Sequence, residues 1–308
     1  MTPAIQTTGL TKAYGQHRAL DSVDLVVEEG SVFGFLGPNG AGKTTMVRLL
    51  TGLSRPTSGS AQILGSEVAG ANSARSLIGY LPDVPGFYEW MSGREFLQLA
   101  GRLFGIRDPV LGRRVQNLLE LAGLRDVETK IGGYSRGMKQ RLGVAQALIN
   151  APRLLILDEP TSALDPIGRK DVLEMLSSLR GRATVFFSTH ILSDVERVCD
   201  TVAILDRGHL VTQAPIHQLK QRYGAHKVIV EVTDRADELA QEIETQPWVT
   251  SVARSANGGI EITVAEVGAA QKQIPAMVAA RGIGLARLEA GEVQLEEVFV
   301  DLVGGQRR

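Results

Sequence analysis

Hydrophobic and polar positions alternate through the first part of the chain, which is the pattern of strands that bury one face. Within residues 4–36, the stretch VDLVVEEGSVFGFLG predicts two short strands joined at Glu29-Gly30, and the second strand leads into a glycine-rich loop. From Lys43 to Leu53 the apolar spacing becomes helical, and Gly52 ends that pattern. The predicted order is therefore strand, loop and helix.

The middle of the chain predicts a group of helices, followed by alternating strands and helices. The helical segments are 93–104, 110–122 and 136–149. Next, RLLILDEP is a continuous apolar run that ends in acids and a proline, as expected of a buried parallel strand. A helix near 166–180, the strand ATVFFSTH, a helix near 191–198 and the strand TVAILDRG follow. This alternation implies an α/β fold with a parallel sheet covered on both faces, into which residues 93–150 are a helical insertion.

Composition changes after about residue 218, where shorter elements begin. They are the strand KVIVEV, a helix over 235–246, a hairpin VTSVARSANGGIEITVA that turns around Asn257-Gly258-Gly259, a helix over 268–281, the strand GLARLEA and a last amphipathic helix over 293–303. The first six elements give the β-α-β-β-α-β order of a ferredoxin-like unit. We therefore expect two domains, 1–218 and 219–308, of which the second is a small α+β domain.

Composition and charge restrict the possible partners and the cellular compartment. The 308 residues carry a formal charge of −1, so no global basic field indicates nucleic acid as a partner. Cys199 is the single cysteine, which excludes an internal disulfide and favours a reducing compartment. The start MTPAIQTTGL lacks the features of a signal peptide, and no uncharged apolar run approaches the roughly 20 residues of a membrane helix. We expect any membrane role to come through a partner.

The segment GPNGAGKT, from Gly37 to Thr44, satisfies the phosphate-binding pattern G-x-x-x-x-G-K-[ST]. Its glycines allow backbone N–H groups to surround a phosphate, Lys43 would reach the β- and γ-phosphates, and the Thr44 hydroxyl would bind Mg²⁺. The alternative is a glycine turn followed by a solvated lysine. The predicted strand before the loop and the helix after it favour the phosphate site.

Two further strand ends carry candidate catalytic groups. Asp158 ends an apolar strand, where it can hold Mg²⁺ through water, and Glu159 would orient and deprotonate the attacking water. A solvated turn is the alternative for this acidic pair. His190 ends the strand VFFSTH and is expected to point into the ligand crevice, although by itself it suits a core or turn histidine better. We assign no role to the other histidines, His17, His209, His217 and His226.

The segment YSRGMKQRLGVAQAL resembles the signature of ATP-binding cassette (ABC) transporters, usually L-S-G-G-Q followed by a basic helix. Its Met138 precedes Asp158 by 20 residues, which is the spacing in that family. Other motifs match in the same order along residues 4–218. They are Tyr14 for the aromatic that stacks on adenine, the phosphate loop, IGYLPD (78–83) for the Q-loop, the strand ending at Asp158, TSALD (161–165) for the D-loop, and His190 for the switch histidine. The resemblance implies a P-loop ABC cassette with a mixed sheet and antiparallel N-terminal strands.

The same resemblance implies that the cofactors are ATP and Mg²⁺. Nucleotide contacts would come from Tyr14, Gly37, Pro38, Asn39, Gly40, Ala41, Gly42, Lys43, Thr44 and Thr45. The magnesium ligands would be Thr44, Asp83 and, through water, Asp158. The catalytic groups would be Glu159, His190, Lys43 and Asp83. In the family two cassettes pack head to tail, so Ser135 and Gly137 would complete the γ-phosphate site of the other copy.

Three positions depart from the family pattern. Arg136 and Met138 replace the signature's usual second glycine and its glutamine, and whether Arg136 faces the nucleotide or solvent stays open. Asp83 replaces the usual glutamine of the Q-loop, which adds negative charge near the γ-phosphate and predicts slow basal turnover. Downstream, VPGFYEWM gathers four large side chains, Phe87, Tyr88, Trp90 and Met91. They are either a docking surface or a loop that packs into the core.

By this resemblance the chain is the ATPase subunit of an exporter similar to the daunorubicin-resistance subclass. It would work as a homodimer at the cytoplasmic face of the membrane, bound near Asp83–Met91 to a separate integral-membrane subunit. The competing interpretations are a soluble non-transport ABC ATPase, an importer cassette, and a P-loop kinase or GTPase. The terminal domain would be a dimer brace or a regulatory sensor. We favour the brace because the last helix has an apolar face, formed by Val293, Leu295, Val298, Phe299 and Leu302.

Overall fold

The chain folds into two compact units that divide between Ile216 and His217, whereas the sequence placed the boundary after residue 218. The computed structural model describes residues 3–68, 75–162, 164–223, 226–254, 259–291 and 294–304. Each unit has its own buried apolar core.

The first unit contains two sheets. Its described strands are β1 (Ile5–Tyr14), β2 (His17–Val27), β3 (Val32–Leu36), β4 (Ser58–Ile63), β5 (Ser66–Glu67), β6 (Ile78–Leu81), β7 (Leu154–Asp158), β8 (Thr184–Thr189), β9 (Thr201–Asp206) and β10 (His209–Pro215). The larger sheet has the order β10-β9-β3-β8-β7-β6 and is parallel except for β10. The N-terminal strands form a separate antiparallel sheet with the order β2-β1-β4-β5. This arrangement is the expected α/β fold with antiparallel N-terminal strands.

The central strands of the larger sheet are buried because they are apolar on both faces. Every residue of β3, β7 and β8 is buried. Phe186 on β8 packs against Phe33 and Phe35 on β3, with ring centroids 5.8 and 5.4 Å apart. Since the strands are parallel, the loops after β3, β7 and β8 leave the sheet at one edge.

The described helices of the first unit include the predicted insertion. They are α1 (Lys43–Leu50), α2 (Gly93–Leu103), α3 (Val110–Leu121), α4 (Arg136–Ala147), α5 (Pro166–Ser177) and α6 (Leu192–Val198), with a short 3₁₀ helix at Ile131–Gly133. Side-chain caps fix where several of them begin. Ser92 and Glu95 form a reciprocal capping box on α2, Ser135 caps α4, and Asp165 caps α5 next to a proline in the first turn.

The second unit is an antiparallel sheet with helices. The helix α7 (Ile216–Tyr223) begins at the division, and the elements that follow are β11 (His226–Val232), α8 (Ala236–Glu244), β12 (Val249–Arg254), β13 (Ile260–Val264), α9 (Val267–Ala280), β14 (Leu285–Gly291) and α10 (Leu295–Gly304). The sheet order β12-β13-β11-β14 is that of a ferredoxin-like unit. In the predicted hairpin turn, Asn257 and Gly258 lie outside the described residues.

The last helix buries part of the apolar face from which we expected a dimer brace. Leu295 and Val298 on α10 are completely buried within the chain, and Phe299 and Leu302 are half-buried. Val293 lies outside the described residues. Part of the apolar face that suggested a brace is therefore covered within a single chain, and the brace stays a prediction.

Candidate nucleotide-binding site

The phosphate loop between β3 and α1 has a shape that only glycine allows at two positions. A Cβ atom on Gly37 would lie 2.4 Å from the Leu205 carbonyl oxygen. Gly42 has φ of 112°, and a Cβ there would lie 2.3 Å from the Ala19 carbonyl oxygen. A side chain at either position would displace backbone. The loop backbone therefore lies close to Leu205 and Ala19.

Lys43, at the first position of α1, is buried and fully engaged. Its side chain is 6% exposed, and its Nζ donates hydrogen bonds to the carbonyl oxygens of Gly37 (2.8 Å) and Pro38 (3.2 Å). The same Nζ lies 3.1 Å from Oε1 of Glu159, whose side chain is 12% exposed. A buried ammonium and a buried carboxylate thus compensate each other, which limits the cost of removing both from water.

Asp158 ends β7 and lies almost fully buried behind the loop. One of its oxygens, Oδ1, accepts hydrogen bonds from Ser188 Oγ (2.5 Å) and Thr44 Oγ1 (3.5 Å). Burial raises the pKa of Asp158, these two hydrogen bonds lower it, and the nearby charges of Asp83 and Glu159 raise it again. The structure thereby places the Thr44 hydroxyl and the Asp158 carboxylate together, as the sequence predicts.

Glu159 follows in a left-handed backbone conformation with φ of 49°, which is uncommon for a residue with a side chain. Its amide donates to the backbone oxygen (3.1 Å) and the side-chain oxygen (3.2 Å) of Ser188 on the neighbouring strand β8. Its second carboxylate oxygen, Oε2, lies 2.9 Å from Nδ1 of His190. A single carboxylate therefore contacts both Lys43 and His190.

These residues surround an open cleft of about 540 Å³. The predicted residues that line it are Tyr14, Asn39, Gly40, Gly42, Lys43, Thr44, Thr45, Asp83, Glu159 and His190. The predicted residues that are not part of its lining are Gly37, Pro38, Ala41, Asp158, Ser135 and Gly137. Three lining residues have no predicted role, namely His17, Ala19 and Ser162. Asp158 and the loop backbone are next to the cleft through their contacts with Thr44 and Lys43, whereas Ser135 and Gly137 belong to α4.

Tyr14 and His17 share the end of the cleft formed by the first hairpin. They pair directly across the turn between β1 and β2, so their side chains lie on one face of the sheet. The Tyr14 ring is half exposed, and the Nζ of Lys12 lies 5.0 Å from the ring centroid. The alternation of β1 and β2 would have placed His17 beside Tyr14, had the turn at Gly15-Gln16 been recognised.

Asp83 is exposed after β6 and faces the loop that follows β7. Its Oδ1 accepts a hydrogen bond from Ser162 Oγ at 3.1 Å. Ser162 belongs to the TSALD segment, in which Ala163 lies outside the described residues. The contact joins the two loops at the edge of the cleft, next to Asp158 and Glu159.

The start of α4 is a separate, exposed feature. Ser135 Oγ accepts a hydrogen bond from the Met138 amide at 3.2 Å, and no acidic residue occupies the first turn. Arg136 is exposed. A Cβ on Gly137 would lie 3.5 Å from Gly168 Cα, so the beginnings of α4 and α5 meet at two glycines.

The aromatic group after Asp83 divides between core and surface. Phe87 packs edge-on against Phe96 with ring centroids 5.1 Å apart. Tyr88 and Trp90 are 53% and 69% exposed, and their rings lie 5.8 Å apart. Phe87 therefore packs into the local core, whereas Tyr88 and Trp90 are exposed, and docking through these two side chains stays a prediction.

Two negative findings apply to the described part of the chain. No helix in it has the length and apolar character needed to cross a bilayer. The same residues contain no group of three or more His, Cys, Asp or Glu placed to hold a metal ion.

Comparison with known proteins agrees with this geometry. Residues 20–162 match the family described as ABC transporter, and residues 215–303 match the C-terminal domain of ATP-binding proteins like DrrA1-3. The uncharacterized ABC transporter ATP-binding protein YxlF of Bacillus subtilis is 39% identical, over 96% of this chain and 97% of its own length. This chain belongs to the ABC transporter ATP-binding proteins. It is thus an ATP-binding ATPase subunit of a transporter.

Two further matches add detail about relatives of this ABC ATPase. The bacitracin transport ATP-binding protein BcrA of Bacillus licheniformis is 38% identical over 99% of both chains. The dimeric structure of MJ0796, a bacterial ABC transporter cassette, superposes with a TM-score of 0.62 at 25% identity, covering 69% of this chain and 98% of that one. The match to MJ0796 covers a share of the chain similar to that of the first unit.

Proposed function

We propose that this ABC ATPase powers an exporter as a head-to-tail homodimer that binds a separate transmembrane subunit at the cytoplasmic face of the membrane. The observation that carries the proposal is the separation of two features. The cleft of one chain contains the phosphate loop, Glu159 and His190, but the exposed start of α4, with Ser135 and Gly137, is not part of it. The name of BcrA, a bacitracin transport protein, supports a role in transport, and the dimeric structure of MJ0796 supports dimerisation.

The residues of the cleft fit ATP with Mg²⁺. The half-exposed Tyr14 ring stacks on adenine, and the amides of the loop with Lys43 hold the phosphates. The Thr44 hydroxyl and the Asp158 and Asp83 carboxylates are hard oxygen ligands of the kind Mg²⁺ prefers, and the described residues offer no all-protein cage. This fits an ion held partly by the nucleotide. When bound, Mg²⁺ neutralises charge on the phosphate oxygens.

Glu159 is the general base, and two neighbours hold it. His190 Nδ1 contacts one carboxylate oxygen and Lys43 Nζ the other, so the side chain has a fixed direction before nucleotide binds. Phosphate oxygens compete with Glu159 for the Lys43 ammonium, which leaves the carboxylate free to accept a proton from water. His190 stays beside Glu159 and senses the γ-phosphate.

The exposed start of α4 supplies the other half of the site to the partner copy. The Gly137 amide and the Ser135 hydroxyl lie at the positive end of a 12-residue helix whose first turn carries no acidic side chain. A γ-phosphate held in one cleft is therefore attractive to the α4 start of a second chain. Because only the triphosphate reaches both surfaces, hydrolysis releases the pair.

The Glu159→Gln variant tests the dimer. Loss of the base lowers the rate by about 10²–10⁴-fold, so ATP persists in the site. Sedimentation velocity should show a dimer with MgATP and a monomer with MgADP. Glu120→Gln, an exposed acid on α3, is the control and should hydrolyse ATP like the native chain. A Glu159→Gln chain that stays monomeric with MgATP would contradict the head-to-tail dimer.

Trp90→Ala tests the membrane partner. Tyr88 and Trp90 present a paired aromatic surface, and such residues are enriched at interface centres. The variant should bind ATP normally but recover less of the transmembrane subunit when the complex is purified in detergent. Leu53→Ala removes an equally exposed side chain elsewhere and is the matched control. Equal recovery of the membrane subunit with both variants would remove this surface from the interface.

A further inference from the structure

A second contact joins the segments that carry Glu159 and His190. Thr161 lies two residues after Glu159. Asp194 lies four residues after His190 and belongs to the first turn of α6. Thr161 Oγ1 donates a hydrogen bond to Asp194 Oδ2 at 2.6 Å, and both side chains are buried. The contact therefore runs alongside the 2.9 Å contact between Glu159 and His190.

Arg169 completes this contact from a third element. On α5, its Nε lies 2.5 Å from Asp194 Oδ1, and its Nη2 donates to Ser193 Oγ at 2.6 Å. A carboxylate that is completely buried costs several kcal/mol unless it is paired and hydrogen-bonded. Both Asp194 oxygens have such a partner, so the carboxylate is fixed between α5, α6 and the loop after β7.

Glu159 needs such support because its own backbone is unfavourable. A non-glycine residue at φ of 49° persists only when surrounding contacts hold it. The Ser188 contacts hold its amide from one side. The Thr161 hydroxyl holds the chain on the other side, two residues further on.

We propose that Thr161, Asp194 and Arg169 are positioning residues for ATP hydrolysis, which hold the Glu159 loop against the segment that follows His190. The inference rests on the proposed role of Glu159 as the base. None of the three lines the cleft, so they act through Glu159 and His190 and do not contact nucleotide. Loss of these hydrogen bonds lets the Glu159 carboxylate move relative to the attacking water. A misplacement of about 1 Å can lower the rate by up to about 100-fold.

Thr161→Val tests the proposal with the smallest change in shape. We expect kcat to fall about 10-fold while KM for MgATP changes less than about twofold. Thr161→Ser keeps the hydroxyl and should restore most of kcat. Thr184→Val is the matched control, because Thr184 is also buried and accepts a hydrogen bond from the Gly30 amide (2.9 Å) at the opposite end of β8. It should lower the melting temperature without changing kcat.

A double variant separates positioning from general destabilisation. If Thr161 acts through the contact between Glu159 and His190, Thr161→Val should cost little further rate in a His190→Ala background. Asp194→Asn keeps the shape of the side chain but removes the charge that Arg169 pairs with, and should lower kcat in the same way. Native kcat in Thr161→Val, or a full additional loss in the double variant, would overturn the inference.

The Glu159→Gln variant distinguishes this inference from the proposed function. If that variant hydrolyses ATP like the native chain, Glu159 is not the base and the proposed function fails. If it is inactive while Thr161→Val retains native kcat, the proposed function stands and the positioning network alone is wrong.

Discussion

The cleft and the start of α4 differ in how completely one chain builds them. In the cleft, Lys43 is bonded to two carbonyl oxygens and to Glu159, and Glu159 in turn contacts His190. At the start of α4, Ser135 is exposed and caps its own helix. The first region is preorganised by buried contacts, whereas the second presents its groups to solvent.

The two halves of the proposed site therefore differ in how far their groups are buried and held by one chain. A group that acts on its own chain's nucleotide is held in place by neighbours of that chain. A group that acts on another chain must stay exposed and be held from behind. Behind the start of α4 lie the close contact between Gly137 and Gly168 and the ion pair of Arg141 with Asp171 at 3.1 Å. Both connect α4 to α5, the helix that also carries Arg169.

Lys43→Met gives the largest expected effect, because it removes a buried charge from the preorganised half. Lys43 is proposed to pair with the bound phosphates, and truncating one member of such a buried charge pair costs about 2–5 kcal/mol, so MgATP affinity of the single chain should fall at least about 30-fold. Isothermal titration calorimetry at 0.15 M salt measures it. Lys170→Met on the exposed face of α5 is the control. An affinity within about threefold of the native value would show that the buried contacts of Lys43 do not serve the nucleotide.

Ser135→Ala tests the exposed half and should act only between chains. Loss of a hydrogen bond to a charged group costs about 1.5–3 kcal/mol, so ATP-dependent dimerisation of the Glu159→Gln chain should weaken by about 10–100-fold. MgATP binding to the monomer should not change. Ser92→Ala is the control, because it removes another serine cap, on α2. Each of the two substitutions should lower the free energy of unfolding by about 1 kcal/mol, but Ser92→Ala should not affect dimerisation.

The Ser135→Ala result also tests whether the start of α4 acts on the nucleotide of the other chain. If Ser135→Ala weakens MgATP binding to the monomer as strongly as it weakens the dimer, then Ser135 serves the nucleotide of its own chain. The distinction between a preorganised half and an exposed half would then be wrong.

Much of the fold follows from local pattern, and the exceptions have a common cause. Strands β3, β7, β8 and β9 are apolar runs, and α2, α4 and α5 begin at side-chain caps that the sequence shows directly. We did not predict β4, β5, β6 or β10. The β4 segment SGSAQI has little strand propensity and is a strand because it pairs with β1. Pairing between distant segments decides such strands, and local pattern does not contain it.

The site divides in the same way. The phosphate loop is one contiguous motif and the Asp158-Glu159 pair is another. The sequence alone therefore identifies the residues of each motif. Contacts between side chains far apart in sequence, such as Ser188 with Asp158 and Thr161 with Asp194, depend on which strands and helices become neighbours. The burial of Leu295 and Val298 on the last helix was missed for the same reason, since the apolar pattern of a helix does not show which element packs against it.

Asp83→Gln gives a smaller effect at the edge of the cleft. The amide oxygen of glutamine still accepts the Ser162 hydrogen bond. The substitution removes a negative charge close to the proposed nucleotide site and to Asp158. Because the Asp83 charge is one cause of the raised pKa of Asp158, that pKa should fall slightly. The ATPase rate at saturating MgATP should rise by about threefold, consistent with an exposed charge worth less than about 1 kcal/mol. Asp126→Asn, an exposed acid of the insertion, is the control, and an unchanged or lower rate for Asp83→Gln would contradict the prediction.

Tyr134→Phe should change stability and not the ATPase rate, and it shows how the exposed half is anchored. Tyr134 precedes Ser135 and is 6% exposed, and its Oη has no hydrogen-bond partner among the described residues. A Cβ on Gly93 would lie 2.8 Å from that oxygen, so the ring packs against the backbone of α2. Since an unsatisfied buried hydroxyl costs about 1–3 kcal/mol, removing it should stabilise the first unit by about 1 kcal/mol. Calorimetry should show a melting temperature raised by about 2–4 °C, whereas Tyr88→Phe at the surface should change little. A lower melting temperature for Tyr134→Phe would contradict this prediction. It would mean that the Tyr134 hydroxyl makes a stabilising hydrogen bond that holds the segment before Ser135.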